Sequence, residues 1–384
     1  MKRREFLKLT AALSAASVAP AASAAAINGA VRGSNNKVLV LVHLAGGNDG
    51  LNTLIPYTDP EYYALRPTLA IPANKAIPLD SKAAMHPSLA LLKPYWDKGE
   101  MAWLQGLGYN QPDRSHFRSI DIWESASSSN ERSTTGWLSH VLPQLTDGLH
   151  GIVLGQGIGP LAGAKLNAVE MENPKTFLNQ AKLINDMSYA HSNVTSMRHI
   201  LAVQNQLYST AAELSQKLRR RVSVKARFPK TPFGHQMQSI AEMIVSGVDS
   251  PVYKAKLAGF DTHAGQLNSH KNSLYHLSGV LQAFAESMQR AGRWDDVVLM
   301  TYSEFGRRAK ENHSGGTDHG KASAHLVMGG SINGGLYGKS PDLHNLDNGD
   351  VRYSTDFKAV YGSLARRWWN VKNPWQAHGE IPFV

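Results

Sequence analysis

Cysteine is absent from all 384 residues, and its absence removes several chemistries at once. Disulfides, zinc–thiolate sites, iron–sulfur clusters and thiol nucleophiles are excluded. Any metal must be held by His, Asp, Glu or hydroxyl and carbonyl oxygens, a donor set suited to hard or borderline ions. Long apolar runs are lacking too: beyond the N-terminal segment nothing is long and apolar enough to cross a bilayer, so no stable membrane span is expected. The glycine-rich "GGNDG" (46–50) lacks the G-K-[ST] ending of a nucleotide phosphate cradle. Basic residues interleaved with aromatics are missing as well. The one basic run, "KLRRRVSVKAR" (217–227), closes a helical pattern and reads as a solvated helix end, so no nucleic-acid partner is expected.

What is present describes a globular chain. Hydrophobic residues make up 42% and charged residues 18%, and the length suffices for one large α/β domain or two modest ones. Forty Lys and Arg against thirty Asp and Glu leave a net charge of +10, part of it in the first eight residues. The opening "MKRREFLKLTAALSAASVAPAASAAA" has a basic start, a short Ala-rich apolar middle and an A-x-A exit at Ala22–Ala24. Its Arg3-Arg4-Glu5-Phe6-Leu7-Lys8 resembles the twin-arginine export signal, with Lys2 where a Ser or Thr usually precedes the arginine pair. That resemblance implies a signal peptide over 1–24, the twin-arginine machinery as an export partner, and a periplasmic or otherwise exported protein. Residues 25–36 read as a linker, and 37–384 as one α/β domain.

Apolar runs and helical periodicities alternate through that domain. "KVLVLVHLA" and "MAWLQGLGY" read as buried strands, as do "GIVLGQG" (151–157), "VYKAKLAGFDTH" (252–263), "VVLMTYSEFGR" (297–307) and "AHLVMGG". Helices are expected in "SLALLKPYWDKGEM" and from Asp113, where Phe117, Ile120 and Trp123 fall near one stripe. Further helices are expected over 194–222, over 233–247, through "SLYHLSGVLQAFAESMQRAG", and in the closing "DFKAVYGSLARRWW". The alternation predicts a three-layer α/β sandwich around a mostly parallel sheet, with 173–247 a helical insertion or cap.

In such sheets ligands bind beyond the carboxyl ends of the strands. Polar residues collect there: Asn48 and Asp49; Asp113, Arg114, Ser115 and His116; Asp261 and His263; Glu304 and Arg307; Asp318 and His319, with His325 nearby. Each has a structural reading of its own as a turn, cap or loop residue. Five such groups at one edge point instead to a shared site. His43, inside an apolar strand, reads as a core residue.

"LVHLAGGNDGLNTLIPY", "RSHF", "FDTH", "SEFGR" and "GGTDHG" stand in an order that resembles a family of exported bacterial proteins, the family of unknown function 1501, grouped with the alkaline phosphatase and sulfatase superfamily. The resemblance runs over essentially the whole mature chain. It implies an alkaline phosphatase-like fold and an exported hydrolase of phosphate or sulfate esters acting on a small anionic ester. It implies one or two divalent ions, zinc first, with calcium, magnesium or manganese as alternatives. By the same resemblance Asp49, Asp261, His263, Glu304 and His319 would be metal ligands and Ser115 the nucleophile. Arg307, Arg114 or Asn48 would steady the oxyanion. The pattern departs at Phe305, where an imidazole ligand is expected; His116 or Asp318 could take its place. A rival reading on the same fold is a catalytically inactive periplasmic binding or assembly protein. A cofactor-bearing oxidoreductase ranks last, for want of Cys and of a dinucleotide fingerprint.

Overall fold

The structure, a computed structural model, describes residues 36–163, 165–182, 193–219 and 222–384. The expected signal peptide (1–24) and, Asn36 apart, the expected linker lie outside the described residues. Strand β1 (Val38–Ala45) comes from the run of Val and Leu and is buried along nearly its whole length. Side chains alternate across a strand. Val38, Val40, Val42 and Leu44 accordingly enter one hydrophobic core, and Leu39 and Leu41 enter another on the opposite face.

Eight further strands complete the main sheet: β2 (Met101–Gly108), β3 (Gly151–Leu154), β4 (Ala168–Met171), β5 (Val252–Ala258), β6 (Val297–Tyr302), β7 (Ser323–Met328), β8 (Gly335–Tyr337) and β9 (Thr355–Asp356). Their spatial order is β8-β2-β7-β6-β1-β5-β3-β4, with β9 also beside β2. Neighbours run parallel throughout, except that β7 is antiparallel to both β2 and β6.

Helices cover both faces. The first core is closed by α2 (Pro174–Ala181), α3 (Thr195–Arg219), α4 (Pro232–Val245) and α5 (Gln266–Arg290), through residues such as Phe177, Leu214, Met237, Ile240, Leu274 and Leu281. The second is closed by α1 (His116–Ser125) and α6 (Phe357–Ser363), through Ile122, Trp123, Phe357 and Tyr361. The protein is therefore a three-layer α/β sandwich with a mostly parallel sheet. Within the stretch expected as an insertion, α4 forms a wall of the main core. Its start follows from Thr231, whose Oγ1 accepts from the Gly234 N–H at 3.0 Å, and from Pro232 in the first turn. It stops just before Gly247, whose φ of +75° suits only glycine without strain. No helix among the described residues is long and apolar enough to cross a membrane.

Two local expectations need correction. The "SLALLKPYWDKGEM" segment is a 3-10 turn (Pro87–Leu92) running into a short helix (Lys93–Asp97), with Pro94 in the latter's first turn where its missing N–H is harmless. In α1 the buried stripe is Ser119, Ile122 and Trp123, while Phe117 is 85% exposed. Six residues at about 100° each put Phe117 and Trp123 on different faces.

The sheet topology decides where chemistry can collect. Strands β1, β2, β5 and β6 run the same way, so their carboxyl ends share one edge. Because β7 runs against them, the residues that enter it also lie at that edge.

Candidate metal centre

At this edge three ligand-type atoms, one each from His116, Asp261 and His319, lie within 4.8 Å of one another. His116 opens α1, beyond the end of β2; Asp261 follows β5; His319 precedes β7. The approach of the β1 and β5 ends depends on Gly46, which has φ +121°; a Cβ there would meet the Asp261 backbone nitrogen at 2.2 Å. The Asp261 carboxylate lies 3.4 Å from His116 Nε2 through Oδ2. Its Oδ1 lies 3.4 Å from His319 Nε2 and 3.1 Å from His263 Nε2.

The partners behind the rings set where their protons sit. His116 Nδ1 is 2.9 Å from Glu304 Oε1. Burial pushes the Glu304 carboxyl up, but the hydrogen bond and charge of His43, followed by His116, outweigh it and bring it down to about 2. An ionised carboxylate only accepts, so Glu304 takes the proton of His116 Nδ1, and in the neutral ring Nε2 is the ligand atom turned toward Asp261. His319 Nδ1 donates to the Arg114 carbonyl at 2.8 Å, which leaves its Nε2 as an acceptor too. Burial lowers the His319 pKa, favouring the neutral ring. His263 Nδ1 stands 3.3 Å from Asp318 Oδ1, and its Nε2 comes within 2.9 Å of His319 Nε2. For Asp318, a hydrogen bond from Asn312 is the main cause of a lowered pKa. With His319 Nε2 an acceptor, the contact needs a proton on His263 Nε2 or a cation shared by the two nitrogens.

The donor set fits a metal ion. Around tetrahedral zinc with bonds of about 2.0–2.1 Å, neighbouring ligand atoms sit roughly 3.3 Å apart. Asp261 stands 3.4 Å from both His116 Nε2 and His319 Nε2, close to that spacing, and the three ligand atoms all lie within 4.8 Å of one another. Phe305 packs against both rings, with centroids 4.9 Å from His116 and 4.2 Å from His319. It is buried and gives the cluster an apolar floor. His116 thus occupies the cluster that Phe305 cannot serve.

Several residues expected at the site do other work. Glu304 stands behind His116: its two oxygens take hydrogen bonds from the Gly46 N–H, His116, His43 and Ser303. Asp49 is sealed inside the protein. Its Oδ1 caps the following turn through the Leu51 and Asn52 N–H groups. Its Oδ2 accepts from Arg66 at 2.6 Å and from Gln266. Burial raises the Asp49 pKa, and Arg66 more than reverses that, so the carboxylate stays ionised. Arg307, only 2% exposed, donates to the carbonyls of Gly47, Thr317, Gly46 and Phe260, and to Asp261 at 2.7 Å. Its guanidinium orients Asp261, and burial leaves it no face for a substrate. Asn48 is fully buried, its Oδ1 engaged by Thr53 and His270. The Arg114 side chain pairs with Asp350, and its backbone carbonyl is what serves the cluster. Ser115 is exposed at the N-cap position of α1, directly before His116, and its hydroxyl makes no cap bond. His325 lies in β7 with both ring nitrogens unpartnered, its ring edge-on to Trp123, outside the cluster.

Fold and cluster together define a three-layer α/β protein with a histidine–aspartate centre at the carboxyl edge of its sheet. Residues 162–360, just over half of the chain, match the family described as "Protein of unknown function (DUF1501)", and the chain belongs to that family. No curated protein matches it. Among solved structures it is similar to the C-terminal periplasmic domain of EcEptC from Escherichia coli, at 8% identity and a TM-score of 0.39, over 88% of this chain and 82% of that one. It is also similar to the lipoteichoic acid synthase LtaP from Listeria monocytogenes, at 10% identity and 0.36, over 91% and 75%. A third is a protein in the alkaline phosphatase superfamily from Vibrio parahaemolyticus, at 11% and 0.35, over 80% and 63%. Scores this low carry no chemistry across; the side chains of this protein must do so.

Proposed function

We propose that this chain is an exported, metal-dependent hydrolase of phosphate or sulfate esters. One observation carries the reading: the lone pairs of His116 Nε2 and His319 Nε2 and the Asp261 carboxylate converge, with both ring tautomers set from behind by Glu304 and the Arg114 carbonyl. Three protein ligands completed by an exogenous oxygen is the pattern of catalytic rather than structural zinc sites. With Asp49 saturated by Arg66 and Gln266, the described residues supply one such cluster, and the reading is of one ion. A divalent ion held there supplies charge neutralisation for the ester oxygens and lowers the pKa of a hydroxyl beside it.

The chain's own groups supply the rest. Ser115 presents an exposed hydroxyl at the N-terminus of a ten-residue helix, where the peptide dipoles favour an anion. Its Oγ bonds to the phosphorus or sulfur while the alcohol leaves with a proton; water then releases phosphate or sulfate and restores the hydroxyl. His263, tethered to Asp318 and about half exposed, is placed to hold or deliver that proton. Arg307 holds Asp261 in position, and Phe305 keeps water from one side of the rings. Export rests on the twin-arginine resemblance of residues 3–8.

A second reading, a binding or assembly protein without turnover, draws on the burial of Arg307 and Asn48, which removes two expected oxyanion donors. Metal analysis of protein purified from the periplasm separates the two, combined with assays on aryl phosphates and sulfates. The hydrolase reading expects about one divalent ion per chain, its loss in His116→Ala, and turnover abolished in Ser115→Ala. Metal-free protein with no Ser115-dependent turnover would sink it.

A further inference from the structure

We propose a second anion-binding subsite beside the metal centre, built from Arg114, Arg308 and Lys321, which selects esters carrying another negative group. The proposal rests on the hydrolase reading for the position of the scissile ester. Arg114, Arg308 and Lys321 come from three separate segments and gather on two carboxylates of one turn. Asp350, fully buried, pairs through Oδ2 with the Arg114 guanidinium, and its Oδ1 lies 3.7 Å from Arg308 Nε. Lys321 Nζ binds Asp347 Oδ2 at 2.6 Å, and the Asp347 and Asp350 backbones are bonded to each other. Arg352 adds a fourth cation, bonded to the Asn345 carbonyl. Asp318, which feels the charge of Arg308, is a third carboxylate, so four cations against three leave one positive charge in excess.

That excess lies against the metal centre through the backbone. The Arg114 carbonyl accepts from His319, the Arg308 N–H donates to the Asp318 carbonyl at 3.0 Å, and Lys321 is two residues beyond His319. The guanidiniums stay accessible: the Arg114 side chain is 41% exposed and that of Arg308 36%. Asp350 Oδ1 forms no hydrogen bond, so Arg308 meets it by charge alone; one Nη2 N–H goes to the Asn348 carbonyl, which leaves the other N–H groups of the fork for a ligand. The buried Asp350 carboxylate holding Arg114, and the Asn348 carbonyl holding Arg308, present preformed, fork-shaped donors on two accessible guanidiniums, which suit a tetrahedral oxyanion or a carboxylate. Simple solvation of surface charge needs no such anchor. The ligand class that follows is an ester with a second phosphate, sulfate or carboxylate a short distance from the one cleaved.

Non-hydrolysable probes test this without turnover. Calorimetry on the zinc-loaded protein would compare alkylphosphonates with α,ω-alkanediphosphonates over a ladder of chain lengths, with zinc content checked after each titration. At the best length the diphosphonate is expected to bind about tenfold tighter or better, as a charge-assisted hydrogen bond allows. Arg308→Gln and, separately, Lys321→Gln should each erode that advantage while monophosphonate affinity holds; either variant suffices should the other fail to fold. Equal affinity for the two probe types at every length overturns the subsite, as does an advantage unaltered in the folded variants. Hydrolysis of monoesters without a diphosphonate preference would reject the subsite and leave the hydrolase reading standing. A preference in a protein that turns over no ester would do the reverse.

Discussion

Glu304 accepts hydrogen bonds from Gly46, His43 and His116, and its ionised carboxylate sets the proton on His116 Nδ1. Glu304→Gln keeps the shape and removes the charge, so the imidazole loses both its fixed tautomer and part of its basicity. Metal affinity is expected to fall about 10–100-fold, the range for partners behind a ligand, with the fold intact by circular dichroism. An unchanged zinc dissociation constant would remove Glu304 from the centre. A different residue-scale effect comes from imidazoles sealed in the interior. Burial holds His325 and His86 down at about 3 and His270 at about 4, against 6.5 for the free side chain. Below about pH 6.5 the unfolded chain takes up these protons while the native one does not, so stability falls with pH until these native values are reached. Urea midpoints should therefore drop between pH 7 and pH 4. His325→Phe, which keeps an aromatic against Trp123, should shallow that decline; a slope identical to that of the parent would contradict the assignment.

At the scale of elements, two buried cations hold the loops of the site in register. Arg66 joins Asp49 and Asn52 to the carbonyls of Arg308 and Ala309, and Arg307 draws together the ends of β1 and β5 with the loop before β7. Asp49→Asn leaves Arg66 buried without its counter-charge and should lower unfolding stability by about 3–5 kcal/mol while metal stoichiometry is kept. A ligand role for Asp49 requires the opposite, lost metal with little lost stability, and one denaturation series with metal analysis separates the two. This is also where sequence reading stops short. "GGNDG" shows that an aspartate follows β1, but its fate depends on Arg66 and Gln266, one 17 positions away and the other 217. The extended strands and long helices were legible because periodicity accumulates over many residues. Strands β8 and β9, of three and two residues, carry too little pattern to be read.

For the whole molecule, the centre draws on segments that end β2, β5 and β6 and begin β7, so an ion bound there bridges much of the sheet edge. Binding to the native state alone stabilises by mass action, by about 2.7 kcal/mol with free metal at 100 times its dissociation constant. Chelation should thus lower the Tm in scanning calorimetry, and zinc should restore it. His319→Ala should be insensitive to both; a variant that still responds to zinc would place the stabilising site elsewhere.

The layered α/β architecture, the edge at which polar residues collect, and the family follow from the amino-acid order alone, because hydrophobic period and motif order are local or ordered properties of the chain. Which of those residues meet depends on how the chain folds back on itself. The antiparallel β7 returns His319 to the edge where β2 delivers His116, and buried arginines claim Asp49 and orient Asp261. Selection among equivalent carboxylates and imidazoles depends on distances of a few ångströms between segments hundreds of residues apart, and no local pattern encodes those.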